Sequence, residues 1–522
     1  MVFRSPLPPI EIPSTSLPAF VLEHAAAFGE KPALIDGPSG RTITYAQLEG
    51  MTRALASGLA ARTFGPGDVF AIFSPNVPEY AVAFHGVLAA GGSNTTINSL
   101  ASPEDVERQL RATRAKLLLT IPQFMERAMP GARAAGVEEV FVLGEAVEGA
   151  SAFSSLFASG AAPVFVDVDS AESVAAMPMS SGTTGFAKVV QLTHRNLVAN
   201  VLQADAAIDI GPDDVMIGVL PFFHIYGMTV LVNLALRKGA TVVTMPRFDL
   251  DEFLRLMELH RVTFACLVPP IVLALAKHPA VDRHDLSALE RVMSGAAPLD
   301  ASVCDAAARR LNCIVLQGYG LTETSPVMSA PTRDPSQGRP ASSGLILPNT
   351  EIRVAHLETG ADCAADEDGE IWIRGPQVMK GYLDDPEANA YTLAGDGWLR
   401  TGDIGHVDGD GYLYVVDRLK ELIKYRGYQV PPAELEALLV QHPAVADAAV
   451  IPSPDDKGGE VPKAFVVKHG DVTEGELMSW VSERVPSYKK VRRVEFIDEI
   501  PRSLAGKILR RVLVDKERGG SR

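Results

Sequence analysis

Cysteine is scarce in this chain. There are four in 522 residues, Cys266, Cys304, Cys313 and Cys363, with no C-x-x-C pair. That is far below the density of a disulfide scaffold and favours a reducing, cytoplasmic setting. A long apolar run is also missing: none is long enough to span a bilayer, and Met1-Val2-Phe3-Arg4-Ser5-Pro6 leads into a proline-rich stretch rather than a charged and then apolar signal. The chain therefore reads as soluble. Basic residues are outnumbered, 48 Lys plus Arg against 64 Asp plus Glu, for a formal net charge of -16. This charge opposes nonspecific binding to nucleic acid or to an anionic membrane, so neither is expected as a partner. Any anionic ligand must be held by local groups. Internal repeats and low-complexity tracts are absent too.

What is present is ample material for a core, with 47% hydrophobic and 21% charged residues, in a chain too long for one hydrophobic core. From about 65 to 320, β-rich runs such as Val69 to Phe73, Lys116 to Thr120, Glu139 to Leu143, Ala240 to Thr244 and Cys313 to Leu316 alternate with segments of helical period, among them Leu250 to Leu259 and Ala301 to Leu311. Alternation of this kind predicts α/β layers with largely parallel sheets. From about 349 the pattern turns to hairpin-like strands, Glu351 to Val354 and Glu370 to Ile373, with a Gly-Asp-Gly turn at 409 to 411, which predicts a smaller β-rich subdomain. After Asp417-Arg418, helices at about 431–441 and 474–484 and strands near 448–451, 464–467 and 494–497 predict a compact α+β domain of roughly 100 residues.

The densest chemical signal is Ser180-Ser181-Gly182-Thr183-Thr184-Gly185-Phe186-Ala187-Lys188, which packs hydroxyls, two glycines and a lysine together. Glycines let the backbone approach an anion, hydroxyls donate to it and lysine adds charge, so the run suits phosphate. The following Thr193-His194-Arg195-Asn196 looks like a capped helix start whose N-terminus would add to the positive field. The order Gly-Lys-Ser/Thr of a Walker loop is absent, which disfavours an ordinary P-loop kinase or ATPase. The alternative reading of the run, taken by itself, is a flexible Ser/Gly surface linker. His224 follows an apolar run, where burial lowers its pKa and favours neutral packing. Lys507, flanked by Gly506, could reach across domains, or belong to a solvated basic tail with Arg510 and Arg511.

These segments occur together with Phe222-Phe223-His224-Ile225-Tyr226-Gly227, Gly318-Tyr319-Gly320-Leu321-Thr322-Glu323, Thr401-Gly402-Asp403, Asp417-Arg418-Leu419-Lys420 and Arg502-Ser503-Leu504-Ala505-Gly506-Lys507. In order and interval they resemble the adenylate-forming superfamily of acyl-CoA synthetases, adenylation domains and luciferases. Val268-Pro269-Pro270, Ser294 to Leu299 and Lys420 to Val430 look most like its 4-coumarate:CoA ligase branch.

The resemblance implies a large N-terminal domain over 1–417, with its β-rich subdomain at about 340–417, and a small mobile C-terminal lid over 418–522 hinged near Lys420. It implies a two-step reaction: a carboxylate attacks the α-phosphate of ATP to give acyl-AMP and pyrophosphate, and a nucleophile then displaces AMP. Under it, Ser180, Ser181, Gly182, Thr183, Thr184, Gly185 and Lys188 hold phosphate and Gly318, Tyr319, Gly320 and Thr322 contact the nucleotide. Glu323 holds Mg2+, and Asp403 and Arg418 meet the ribose. Lys507 is expected to bridge carboxylate and α-phosphate as charge develops, His224 to position or gate the carboxylate, and Lys424 and Gln429 to assist thioester formation. Tyr226, Gly295, Ala296, Ala297, Gln317, Pro326 and Val327 are expected around an aromatic or otherwise hydrophobic acid.

The chain departs from the family where Gly185-Phe186-Ala187-Lys188-Val189 replaces the usual Gly-x-Pro-Lys-Gly. Val189 stiffens a position that is glycine in relatives, so altered phosphate binding is expected. The acceptor on the leading reading is coenzyme A. An amine, giving an amide bond-forming ligase, or a carrier protein would leave every ATP-facing group in place. A catalytically silent nucleotide or acid binding protein is the alternative of another class.

Overall fold

A computed structural model describes residues 1–158, 165–180, 187–332, 338–339, 342–425, 428–455 and 459–519. Two largely parallel sheets, as expected, form the body of the N-terminal domain, the first with antiparallel pairings around Lys188–Thr193. In the first, nine strands among the described residues run from Met179–Ser180 through Lys188–Thr193, Val174–Ala176, Ser93–Thr96, Val69–Phe73, Leu117–Thr120 and Glu139–Val142 to Ser151–Ala152, with Gly381–Tyr382 added on Lys188–Thr193. Its centre shows why these strands read as continuous apolar runs. Phe70 and Ile72 pack in one core and Val69, Ala71 and Phe73 in another, so both faces are buried. The second sheet orders Ile314–Gln317, Arg291–Ser294, Phe264–Leu267, Val215–Gly218, Thr241–Thr244, Pro32–Asp36 and Thr42–Thr44, parallel except for its last pair.

The β-rich part is an antiparallel sheet of Glu351–Ala355, Gly369–Arg374, Trp398–Val407, Leu393–Ala394 and Leu413–Arg418. Its outer strand comes from the opposite end of the chain: Val2–Arg4 pairs with Glu351–Ala355, with Val2 facing Arg353. The proline-rich leader gave no sign of this. The small C-terminal domain packs helices Pro432–Val440 and Glu474–Ser482 on a sheet of Val445–Asp455, Gly459–Lys468 and Arg493–Phe496. Its cores, one around Leu435, Leu439 and Val450 and the other around Ile451 and Phe465, are distinct from those of the large domain. Among the described residues no helix is long and apolar enough to cross a membrane.

Candidate active site

The sheet ends, the β-rich part and the C-terminal domain meet around a cavity of about 350 Å³ lined by Tyr226, Met293, Gly295, Ala296, Tyr319, Val327, Glu323, Arg418 and Lys507, among others. Its polar end is built by antiparallel register. Asp403 stands opposite Arg418 in the pairing of Trp398–Val407 with Leu413–Arg418, and Arg418 Nε lies 3.2 Å from Asp403 Oδ1. The Tyr319 hydroxyl donates to the other carboxylate oxygen, Oδ2, and the Asp403 N–H donates to Thr401 Oγ1 at 3.0 Å. Each carboxylate oxygen has two lone-pair directions, so Asp403 can still accept from a diol.

Glu323 sits in the single turn Thr322–Thr324 and is buried. Ser180 Oγ and Tyr382 Oη both donate to its Oε1, each at 2.8 Å. Among the described residues no group of three or more His, Cys, Asp and Glu could hold a metal ion, and Glu323 is a lone carboxylate. That suits Mg2+, which commonly takes one or two carboxylates with phosphate oxygens and water completing its shell. Lys188 is engaged elsewhere, 3.3 Å from Asp385 and over the ring of Tyr382 at 5.0 Å. Ser181, Gly182, Thr183, Thr184 and Gly185 lie outside the described residues.

The expected helix contribution to the phosphate loop is corrected by the fold. Strand Lys188–Thr193 separates the loop from helix His194–Ala207, whose first N–H groups are taken by Ser173 O, Ser170 O and the Thr193 side chain. A capped N-terminus with its donors spent on protein acceptors has little to offer an anion.

At the apolar end, His224 caps the short helix Ile225–Gly227, its Nδ1 accepting the Tyr226 N–H at 3.3 Å. Burial, with the charge of Lys507 adding to it, lowers the His224 pKa to about 4. The ring is neutral near pH 7, and with Nδ1 an acceptor its N–H is at Nε2. Tyr226 Oη donates to Met293 O at 3.1 Å, and its ring lies against Gly295, where an added Cβ would come within 2.9 Å of Tyr226 Cε1. Gly318, Gly320, Thr322, Pro326 and Val327 also line this cavity, as expected. Gln317 and Ala297 do not. They line an adjoining cavity between the two domains, and the Gln317 amide clamps the backbone of Leu299, accepting from its N–H at 2.8 Å and donating to its carbonyl at 2.9 Å. These bonds hold the segment after Ala297.

Lys507 enters from the C-terminal domain on a closed hairpin in which the Ser503 N–H donates to Lys507 O at 2.8 Å and the Leu509 N–H to Pro501 O at 2.8 Å. Gly506, at φ +74°, presses on Val268 of the large domain, where a Cβ would meet Val268 at 2.8 Å, so a side chain there would push the hairpin out. Burial, with the nearby Arg418 cation, lowers the Lys507 pKa to about 8. Lys424 and Gln429 are not brought to this place. They face each other across the hairpin Ile423–Tyr425 and Tyr428–Val430, both exposed, and the Lys424 N–H is bound to Glu460 Oε2 at 2.8 Å. Lys420 lines a third cavity, which shares Thr401 and Arg418 with the first, adds Asp403 and reaches Lys188. Tyr382 and Asp385 were not anticipated. Tyr382 is 59 residues from Glu323, and no local spacing links them.

Residues 21–383 match the model of the AMP-binding enzyme and residues 434–507 that of the AMP-binding enzyme C-terminal domain. The chain is 42% identical to 4-coumarate–CoA ligase 1 of Petroselinum crispum over 98% of its own length and 96% of the relative's, and 42% identical to 4-coumarate–CoA ligase 3 of Oryza sativa subsp. japonica over 98% and 94%. Among solved structures, ATP-bound MatB from Rhodopseudomonas palustris superposes with a TM-score of 0.88 at 29% identity, covering 97% of this chain and 99% of that one. Amide bond synthetase McbA from Marinactinospora thermotolerans does so with a TM-score of 0.84 at 29% identity, covering 95% and 99%. With both its domains matched and its length shared with these relatives, the chain belongs to the AMP-binding enzymes, the adenylate-forming superfamily that its motifs resemble.

Proposed function

We propose that the chain is an AMP-forming acid:CoA ligase that activates an aromatic or hydrophobic carboxylic acid with ATP and passes the acyl group to coenzyme A. The observation that carries this reading is the enclosure of Lys507, from the small domain, in the same cavity as His224 and Glu323 of the large one, with Arg418 at the junction between them. A cation at that place stabilises the charge that develops as the acid's carboxylate attacks the α-phosphate. The neutral His224 Nε2–H donates to the carboxylate without neutralising it. Asp403 and Arg418 hold the ribose, and Glu323 would hold Mg2+, which when bound neutralises phosphate charge. Tyr226, packed on Gly295, makes a flat apolar wall suited to an aromatic acid.

In the second step the thiol of coenzyme A attacks the acyl carbonyl and AMP leaves. Lys424 and Gln429 assist that step after the C-terminal domain, residues 418–522, has turned about Lys420, because in the present arrangement they lie on the outer hairpin. The high identity to 4-coumarate–CoA ligases supports coenzyme A as acceptor. Four cysteines that form no disulfide suit a reducing, cytoplasmic setting.

ATP–pyrophosphate exchange over a panel of carboxylic acids tests the reading. We expect exchange with planar aromatic acids such as 4-coumarate, and thioester on adding coenzyme A. Exchange with no acid would overturn adenylation. Exchange followed by amide on adding amines, with no thioester on adding coenzyme A, would overturn the acceptor.

A further inference from the structure

In sequence Arg510 and Arg511 read as a basic tail. Arg511 fits that description, its side chain 79% exposed and its nearest carboxylate, Asp515, 3.8 Å away. Arg510 does not. Three residues beyond Lys507 it opens helix Arg510–Gly519, its side chain is 14% exposed, and its guanidinium is spread over two other stretches of the chain. Nη2 donates to both oxygens of Glu436, on helix Pro432–Val440, at 2.7 Å each. Nη1 lies 3.2 Å from Glu421, the residue immediately after Lys420. The Glu421 N–H in turn donates to Arg418 O at 2.9 Å, and Asp417 Oδ2 accepts the Ala433 N–H at 3.0 Å at the start of the helix that carries Glu436, so the stretches on both sides of Lys420 are tied to the elements that hold this cation.

Stability alone is a poor account of the cluster. Buried ion pairs often lose to apolar residues of the same volume, because desolvation offsets their attraction. The strain of burial is visible here: it pushes Glu436 up to about 7 and Asp417 up to about 6 despite the neighbouring Arg510. What the cluster does provide is direction, since a planar guanidinium forked over two carboxylates fixes both in orientation. Between Lys507 and Arg510 lie only Ile508 and Leu509, on the returning limb of the hairpin, where the Leu509 N–H is held by Pro501 O at 2.8 Å, so a displacement of one is carried to the other.

We propose that Arg510 is a positioning residue for adenylation, its pairing with Glu421 joining the Lys507 hairpin to the turn at Lys420 so that the backbone angle there sets where Lys507 stands beside Asp403 and Arg418. This rests on the reading of Lys507 as the cation of the first step. Rotation at Lys420 then moves hairpin and turn as one piece, and loosening the pair lets Lys507 wander from the α-phosphate.

The test uses the full chain as wild type, Glu421→Gln, Lys507→Ala and the double variant, with 4-coumarate, ATP and Mg2+ for single-turnover pyrophosphate release and with preformed 4-coumaroyl-AMP plus coenzyme A for transfer. Glu421→Gln keeps its shape and leaves the Arg510–Glu436 pair in place, so the fold is expected to persist. It should slow pyrophosphate release by about 10- to 10²-fold, the loss that a catalytic group displaced by an ångström brings. Transfer should be unchanged. In the Lys507→Ala background the same substitution should cost no more than about twofold, because coupled residues are not additive. Equal loss in both half-reactions, or losses that multiply in the double variant, would overturn the assignment. An impaired Lys507→Ala beside an unimpaired Glu421→Gln would overturn it alone, whereas an unimpaired Lys507→Ala would remove the reading of the site beneath it.

Discussion

Lys507 carries charge into a place that resists it, and its titration is therefore a handle on the first step. Burial and Arg418 hold its pKa at about 8, so below that pH the ammonium is present and above it the bridging cation is lost. The kcat/KM for acyl-AMP formation, which reports the free enzyme, should therefore fall as pH rises through about 8, while His224, titrating near 4, stays neutral throughout. Lys507→Arg, whose guanidinium does not deprotonate in this range, should be slower but lose the alkaline fall. Lys507→Ala should lower adenylation by about 10²- to 10³-fold, the effect of removing one positioned transition-state donor. Pyrophosphate release from pH 6 to 10 distinguishes these variants, and an unchanged alkaline limb in Lys507→Arg would place the titrating group elsewhere.

Elements were legible where periodicity and capping agreed. Val69–Phe73, Leu250–Leu259 and Ala301–Leu311 lie at the residues their patterns predict, and Thr193 with Asn196 forms the capping box that starts His194–Ala207. Illegible were the features made by distant pairing: the strand Val2–Arg4, the clamp of Gln317 on Leu299 and the hydroxyl of Tyr382 on Glu323. Met228–Ala235, wound as a π-helix with Asn233 Nδ2 donating to Met228 O at 2.8 Å, has an apolar sequence that serves any buried helix. Val189 shows how a strand changes the meaning of a departure. In sequence it stiffens a phosphate loop. In the fold it stands opposite Met179 with its side chain in the second core of the large domain, and its carbonyl accepts the Leu383 N–H at 2.9 Å. Val189→Gly should therefore lower stability by about 2–4 kcal/mol, from lost burial, a cavity and backbone freedom. Urea denaturation measures this, and a shift in ATP KM with unaltered stability would instead favour the loop account.

At the scale of the whole molecule, the proposed reaction asks one small domain to present two faces to the cavity in turn. Lys507 is inside while Lys424 and Gln429 are exposed on the outer hairpin. Proline at 420 would fix φ near -65° and restrict Leu419 only through sterics of the preceding bond. Lys420→Pro should accordingly keep acyl-AMP formation and lose transfer to coenzyme A, the converse of Lys507→Ala. Rapid-quench assays of each half-reaction decide it, and equal slowing of both would show that the turn is no pivot. The seating of Gly506 against Val268 has a kinetic corollary. While that contact holds, Lys424 and Gln429 are turned away, so on the proposed two-step reaction coenzyme A would act on an enzyme that has already released pyrophosphate. Steady-state velocities plotted reciprocally against ATP at several coenzyme A concentrations should then give parallel lines, and lines meeting at a point would mean that both substrates reside on the enzyme together.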